Sequence, residues 1–279
     1  MIDPLLSDDA FLDDVRAHRG PNDSRLHLWW LGQSGFLCSQ RSRSVLFDPY
    51  LSDSLTSKYA ATTKPHVRMS RRVVDPARLD HIDVVTSTHA HTDHLDEATL
   101  TALCGHHANR PVMVAPLYEK ALVEQRWRGA SVTYLKGHDS IDLGEVVVRA
   151  VPAAHDELRT DGQGAHQCLG FIVKVDDFLV YHSGDGVGYD GLAEAVLEAA
   201  SGQPIDVAIL PINGKVGNMN GTDAARLAKA IGAKIVVPCH YHMFEFNTAE
   251  PSERFVPECE RLGLRYRVLQ LGERLTIAR

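Results

Sequence analysis

Residues 87–96 read STHAHTDHLD, which places His89, His91, Asp93 and His94 within six consecutive positions. Imidazole nitrogens and carboxylate oxygens are donors for divalent cations, and a hydrophobic core has no use for so many polar groups in one short run. The residues before it, DVVTSTH, carry the β-branched content of a strand, and DEATLTALCG after it has a helical pattern. On an extended segment residues two apart share a face, so His89 and His91 are expected to point one way at a strand end. Asp93 and His94 then fall in the turn entering the helix and face a second point beside the first. Two cations about 3.5–4 Å apart, the spacing of binuclear hydrolases, can be served by one such loop.

One loop does not close two coordination spheres, so further ligands must come from other strand ends. His155 ends EVVVRAVPAAH, Asp185 ends FLVYHSGD in a glycine-rich turn where a carboxylate can bridge, and His240 ends KIVVPCHY. All seven candidates occupy the same kind of strand terminus. His18, His27, His81, His106, His107 and His138 lack that context and are read as ordinary hydrogen-bonded histidines.

The 279 residues carry a net charge of −7, with 44% hydrophobic and 23% charged residues, as in globular proteins with a sizeable core. No basic stripe is present to neutralise phosphates, so nucleic acid is not an expected partner. No apolar run approaches the roughly 20 residues of a membrane span, and the acidic N-terminus broken by Pro4 is no secretory signal. Five cysteines, odd in number and never in a CxxC pair, argue against a disulfide framework or zinc ribbon and for a reduced, cytoplasmic setting. A homo-oligomer is expected on general frequency alone.

Strand-like runs dominate the first part of the chain, and strands alternate with helical patterns later. The fold expected is α/β, a four-layer αββα sandwich. A single domain is expected over 25–279, with an N-terminal helical extension over 1–24 and a pseudo-duplicated interior. Gly105, Gly232 and Gly263 sit where left-handed helix caps are wanted. Residues 52–76 show little periodicity and read as a long loop, either a lid or a solvated connection.

HAHTDH, PAAH, HSGD and PCHYHMF resemble the metal-binding motifs of the metallo-β-lactamase superfamily, and Asp48 in LFDPY resembles its early aspartate. The longer stretches WWLGQSG, IDVVTSTHAHTDHLD and AKIVVPCHYHMF resemble the branch that contains L-ascorbate-6-phosphate lactonase. The resemblance implies two divalent metal ions, zinc or manganese, with iron or nickel as alternatives. His89, His91 and His155 would hold one, Asp93, His94 and His240 the other, and Asp185 would lie between them. Asp48 would hydrogen-bond the histidine-rich loop. Ala90 and Thr92 stand where the lactonase has polar side chains.

The activity implied is hydrolysis of a small, anionic ester or lactone by a metal-bound hydroxide, with Asp93 and Asp185 orienting the water. A phosphodiesterase of the same fold is the alternative within that class. A redox protein and a non-catalytic metal binder are the alternatives outside it. Against redox, His91 stands where diiron flavoproteins of this fold carry Glu. His242, His182 and His166 are the candidates for protonating the leaving group, although strand alternation puts His182 on the face opposite Asp185. Lys58, Arg68, Arg71, Arg72 and Lys215 are candidate contacts to a small anionic substrate, at least one of them contributing. GQSG lacks the spacing of a nucleophile elbow, and Cys239 is read as packing.

Overall fold

The β-branched and aromatic runs pair into two mixed sheets in the computed structural model, which describes residues 1–105 and 111–279. His106 and His107 lie outside the described residues. In the first half, β1 (Leu26–Gly32), β2 (Gly35–Gln40) and β3 (Arg43–Phe47) form an antiparallel meander. β4 (Val84–Thr86), β5 (Val112–Pro116) and β6 (Ser131–Leu135) then add in parallel. In the second half, β7 (Ser140–Asp142), β8 (Val146–Ala153), β9 (Cys168–Val175) and β10 (Phe178–His182) form the meander. β11 (Val207–Pro211) and β12 (Ile235–Cys239) add in parallel. β13 (Arg274–Ile277) returns to pair with β1, giving sheets of seven and six strands. Each half is thus a meander followed by parallel crossovers.

Parallel strands need crossover connections, and helices supply most of them. α1 (Asp8–Ala17) and α2 (Ser54–Tyr59) precede α3 (Glu97–Cys104) and α4 (Lys120–Arg126). α5 (Leu192–Ala200), α6 (Gly221–Ala230) and α7 (Phe255–Leu262) belong to the second half. The inner faces of both sheets share one core, and helices cover the outer faces, which makes the fold a four-layer αββα sandwich. Among the described residues no helix is long and apolar enough to cross a membrane.

Several elements differ from the expectation. β2, β7 and β13 carry too little strand-type content to stand out; β2, for instance, is GFLCSQ. Residues 52–76 contain α2, and the buried Arg68 guanidinium ties the segment together by donating to Ser52 O at 2.6 Å and Ser70 O at 2.7 Å. Gly232 and Gly263 are left-handed at φ 64°, but Gly105 stays right-handed at φ −69° because its N–H continues the turn onto Ala102 O. His89 lies beyond the end of β4, so the ligand run is a loop rather than strand and turn.

The N-terminal helix is continuous with the domain core. Phe11, Leu12 and Val15 are buried, and the Phe11 ring meets Trp29 of β1 edge-on at 6.5 Å. The Trp29 indole donates to Asp14 at 2.8 Å, which also accepts from Arg274 at 3.0 Å. Removing the ring leaves a cavity that this rigid surround cannot refill. Phe11→Ala should therefore cost about 3–5 kcal/mol in urea unfolding, within a single transition. A cost below about 1 kcal/mol, well under that range, would show that the helix does not share the core.

Candidate metal centre

The ligand-type residues collect where strands end. Asp48 follows β3, the 87–94 loop follows β4, His155 follows β8, Asp185 follows β10 and His240 follows β12. In open α/β sheets the crevice beyond the carboxyl ends of strands is where ligands bind. Asp48 and His240 hold positive φ angles, 37° and 62°. Such backbone costs of order 1–3 kcal/mol and persists only where the surroundings fix it. Asp48 N–H donates to Thr86 O at 3.1 Å, and His240 N–H to Gln33 O at 3.0 Å.

Asp48 organises the loop. Its fully buried carboxylate accepts from Thr88 N–H at 3.0 Å and from the Thr88 hydroxyl, and it lies 2.6 Å from His94 Nδ1. That fixes the ring so that His94 Nε2 faces the centre, 3.2 Å from Asp185 Oδ1. Asp185 Oδ2 lies 3.2 Å from His240 Nε2 and 3.9 Å from His155 Nε2. The His89 ring centroid is 4.6 Å from His91, 4.2 Å from His94 and 5.2 Å from His155.

The donor atoms form three sets, each within 4.8 Å: His89, His91 and His155; His89, His94 and Asp185; Asp93, His94 and His240. His89 Nε2 and His155 Nε2 are buried without a hydrogen-bond partner, and His94 Nε2 and Asp185 Oδ1 face each other. Each buried unpaired polar atom costs roughly 1–3 kcal/mol, so imidazole nitrogens facing one space call for an occupant. A set of imidazoles and carboxylates without thiolate fits zinc, iron, manganese or nickel.

The buried charges shift one another strongly. Burial works against charge on His94, but Asp185 and Asp93 outweigh it and hold His94 well above its ordinary value. His240 is pushed up to about 9, with burial opposing and Asp185 prevailing. Burial likewise raises Asp93 and Asp185, yet the histidines win and keep both well below the usual carboxylate range. His89 is held well below its ordinary value by burial, then by His94 and His91, so its ring is neutral and ready to donate a lone pair.

Residues 27–240 match the Beta-lactamase superfamily domain. The chain belongs to the metallo-β-lactamase superfamily. It is similar to a UPF0173 metal-dependent hydrolase of Pyrococcus furiosus, 30% identical over 227 residues, covering 80% of this chain and 88% of that one. A UPF0173 metal-dependent hydrolase of Methanopyrus kandleri is 28% identical over 88% of this chain and 96% of its own. The solved structure of Igni18, a metallo hydrolase from Ignicoccus hospitalis, superposes with a TM-score of 0.66 at 23% identity, over 91% of this chain and 99% of that one.

The superfamily's crevice is here a cavity of about 390 Å³, with His91, Asp93, His155, Asp185 and His240 on its floor. Lys58 lines it. The other residues expected near substrate lie elsewhere. The Arg68 guanidinium is held by backbone carbonyls, Arg71 pairs with Asp3 at 3.1 Å, and Arg72 lies 3.9 Å from Asp75. The Lys215 ammonium donates to Phe246 O and Thr248 O, and His166 packs beside Gly137 and His138. His242 turns away from the floor to Glu250, at 3.0 Å. His182 stacks on Phe47 and lies 2.9 Å from Ser34 O, a core position.

Two supports were not legible as site residues. Gln33, in the GQSG hairpin, donates to Asp93 Oδ2 at 2.8 Å and lies 3.1 Å from His240 Nε2. Gly217, at φ 74°, backs His155 so closely that a Cβ there would lie 2.4 Å from its Nδ1. A glycine in a positive-φ loop signals close approach, but nothing local says to what.

Groups that orient a ligand ring are worth about 10–100-fold in metal affinity. Asp48→Asn should weaken zinc binding by about that factor in competition with a chromogenic chelator; unchanged affinity would remove Asp48 from the site. Gly217→Ala should also weaken zinc binding, whereas Gly188→Ala, with open space at its Cα, should not. Equal affinities for the two variants would show that the 217 contact does not position His155.

Proposed function

We propose that this protein is a hydrolase that uses two divalent metal ions, zinc or manganese, to cleave a small anionic ester or lactone. The observation that carries the reading is the open floor. Structural metal sites are closed by protein ligands, whereas catalytic ones keep a face open to substrate. Here His91 is exposed, and Asp93 and His155 are half-buried on the cavity floor.

His89, His91 and His155 would hold one ion and Asp93, His94 and His240 the other, and Asp185 would offer a further carboxylate beside them. Ions bound there supply Lewis acidity towards a carbonyl oxygen and lower the pKa of a water. The protein's own part is orientation. Gln33 fixes Asp93 through Oδ2, and Asp48 fixes His94, so the donor atoms are set before substrate arrives. No protein nucleophile is needed: all five cysteines are buried thiols, and Ser34 is buried against Cys239. Those buried thiols also suit a reduced, cytoplasmic setting.

The stretches that resemble the ascorbate-6-phosphate lactonase branch are the ground for placing lactone or ester first, with a phosphodiesterase of the same fold as the alternative. The test is a panel on zinc- and manganese-loaded protein: a phosphorylated sugar lactone, an aryl ester and a chromogenic phosphodiester. Lactone or ester turnover is expected, and His155→Ala should abolish more than the roughly 10–100-fold effect of an orienting group. Cleavage of the phosphodiester alone would make this a phosphodiesterase. Silence on all three with metal bound would overturn the hydrolase reading.

A further inference from the structure

Above the metal floor the cavity lining combines two kinds of side chain. One is aromatic. The Tyr59 ring stacks on His66 at 4.1 Å, and His66 meets Phe246 at 4.5 Å and Phe244 at 5.1 Å edge-on. Phe244 is buried, while Tyr59, His66 and Phe246 are half-buried where they line the cavity. The other kind is cationic, with Lys58, Lys64 and Arg126.

The lining's carboxylates are Asp93 and Asp185, both already engaged with histidines on the floor. Among the described residues neither Lys58 nor Lys64 has a carboxylate within ion-pair distance, and the Lys58 ammonium stands 5.2 Å from the Tyr59 ring. Arg126 is anchored by donating to Ala90 O at 2.8 Å and Leu95 O at 3.2 Å, both in the ligand loop. The aromatic side chains are also anchored. Glu245 N–H donates to Val67 O at 3.1 Å, Met69 N–H to Met243 O at 2.8 Å, and the Thr56 hydroxyl to His66 O at 2.9 Å.

Each kind selects a different part of a ligand. Half-buried aromatic faces gain by covering with a flat apolar group, through area burial and ring geometry. Ammonium groups without an internal counter-ion at a cleft attract anions and hold them by charge-assisted hydrogen bonds. The cavity volume, about 390 Å³, lies at the small end of ligand pockets and has room for a small ring-bearing molecule.

We propose that the substrate is a small aromatic or similarly flat apolar ester or lactone that also carries an anionic group. Its ring lies on Tyr59, His66 and Phe246, and its anion is held by Lys58 and Lys64. This substrate class rests on the hydrolase reading above, with the scissile bond over the metal floor. Lys58, Lys64 and Phe246 are specificity-determining residues that touch the substrate away from the bond that breaks.

The test separates binding from turnover. 4-Acetamidobenzoate is titrated calorimetrically into metal-loaded and chelator-treated protein, beside its neutral methyl ester and aliphatic 4-acetamidobutanoate. The aromatic anion should bind at least about tenfold tighter than either, because each comparison removes the partner of one kind of side chain. Phe246→Ala and the double variant Lys58→Gln, Lys64→Gln should each erase that advantage; both lysines are exposed, and an unchanged urea midpoint for Phe246→Ala separates loss of the half-buried ring from unfolding. Equal binding of the three compounds, or variants that bind like the wild type, would overturn the proposal.

In parallel, kcat/KM is measured for 4-acetoxybenzoate, phenyl acetate and 4-acetoxybutanoate. Selective binding without turnover of any ester would uphold the substrate class and overturn the hydrolase reading. Turnover without selectivity in binding or rate would do the reverse.

Discussion

A single buried carboxylate holds the centre together. Asp48 has no exposure to water, and its two oxygens are shared among the Thr88 amide, the Thr88 hydroxyl and the His94 ring. A buried carboxylate left unpaired would cost several kcal/mol, so the 87–94 loop and the end of β3 are obliged to meet. The loop brings His89, His91, Asp93 and His94 with it. The strained φ of Asp48 belongs to the same bargain, since the strand must bend sharply for the carboxylate to reach the loop.

The second half of the fold answers the first. Each half runs from an antiparallel meander into parallel strands, and the two sheets share a core. Their strand ends therefore open onto one crevice. His155, Asp185 and His240 come from the second sheet and face the loop from the first. Gly184 is needed at that junction: it sits at φ 63°, and a Cβ there would lie 2.5 Å from the Thr88 hydroxyl that Asp48 holds. A substitution in one half would thus press on the support of the ligands in the other.

The clustering of the candidate ligands was legible because each is a polar residue at or just beyond the end of an apolar strand, a position that makes little sense for packing alone. The two sheets were legible from branched and aromatic runs, apart from short or polar strands such as β2, β7 and β13, whose pairing is decided by their neighbours. The cavity walls were not legible. His66, Tyr59, Phe244 and Phe246 look like ordinary aromatic content until the backbone bonds between residues 67–69 and 243–245 bring two remote segments together. Gln33 shows the same limit: its hairpin position is plain, but its reach to Asp93 depends on the opposite sheet. The basic residues of 52–76 could be counted but not sorted, because what separates Lys58 from Arg68, Arg71 and Arg72 is the short helix that sets Lys58 in the cavity lining.

The account stands or falls on whether the buried imidazoles and carboxylates take up metal as one shared centre. The most direct measurement is the zinc content of exhaustively dialysed protein by plasma mass spectrometry, joined to X-ray absorption at the zinc edge. Two ions per chain, ligated by nitrogen and oxygen only and falling to one in His155→Ala, is the result expected. No retained zinc, or sulfur among the ligands, would contradict it.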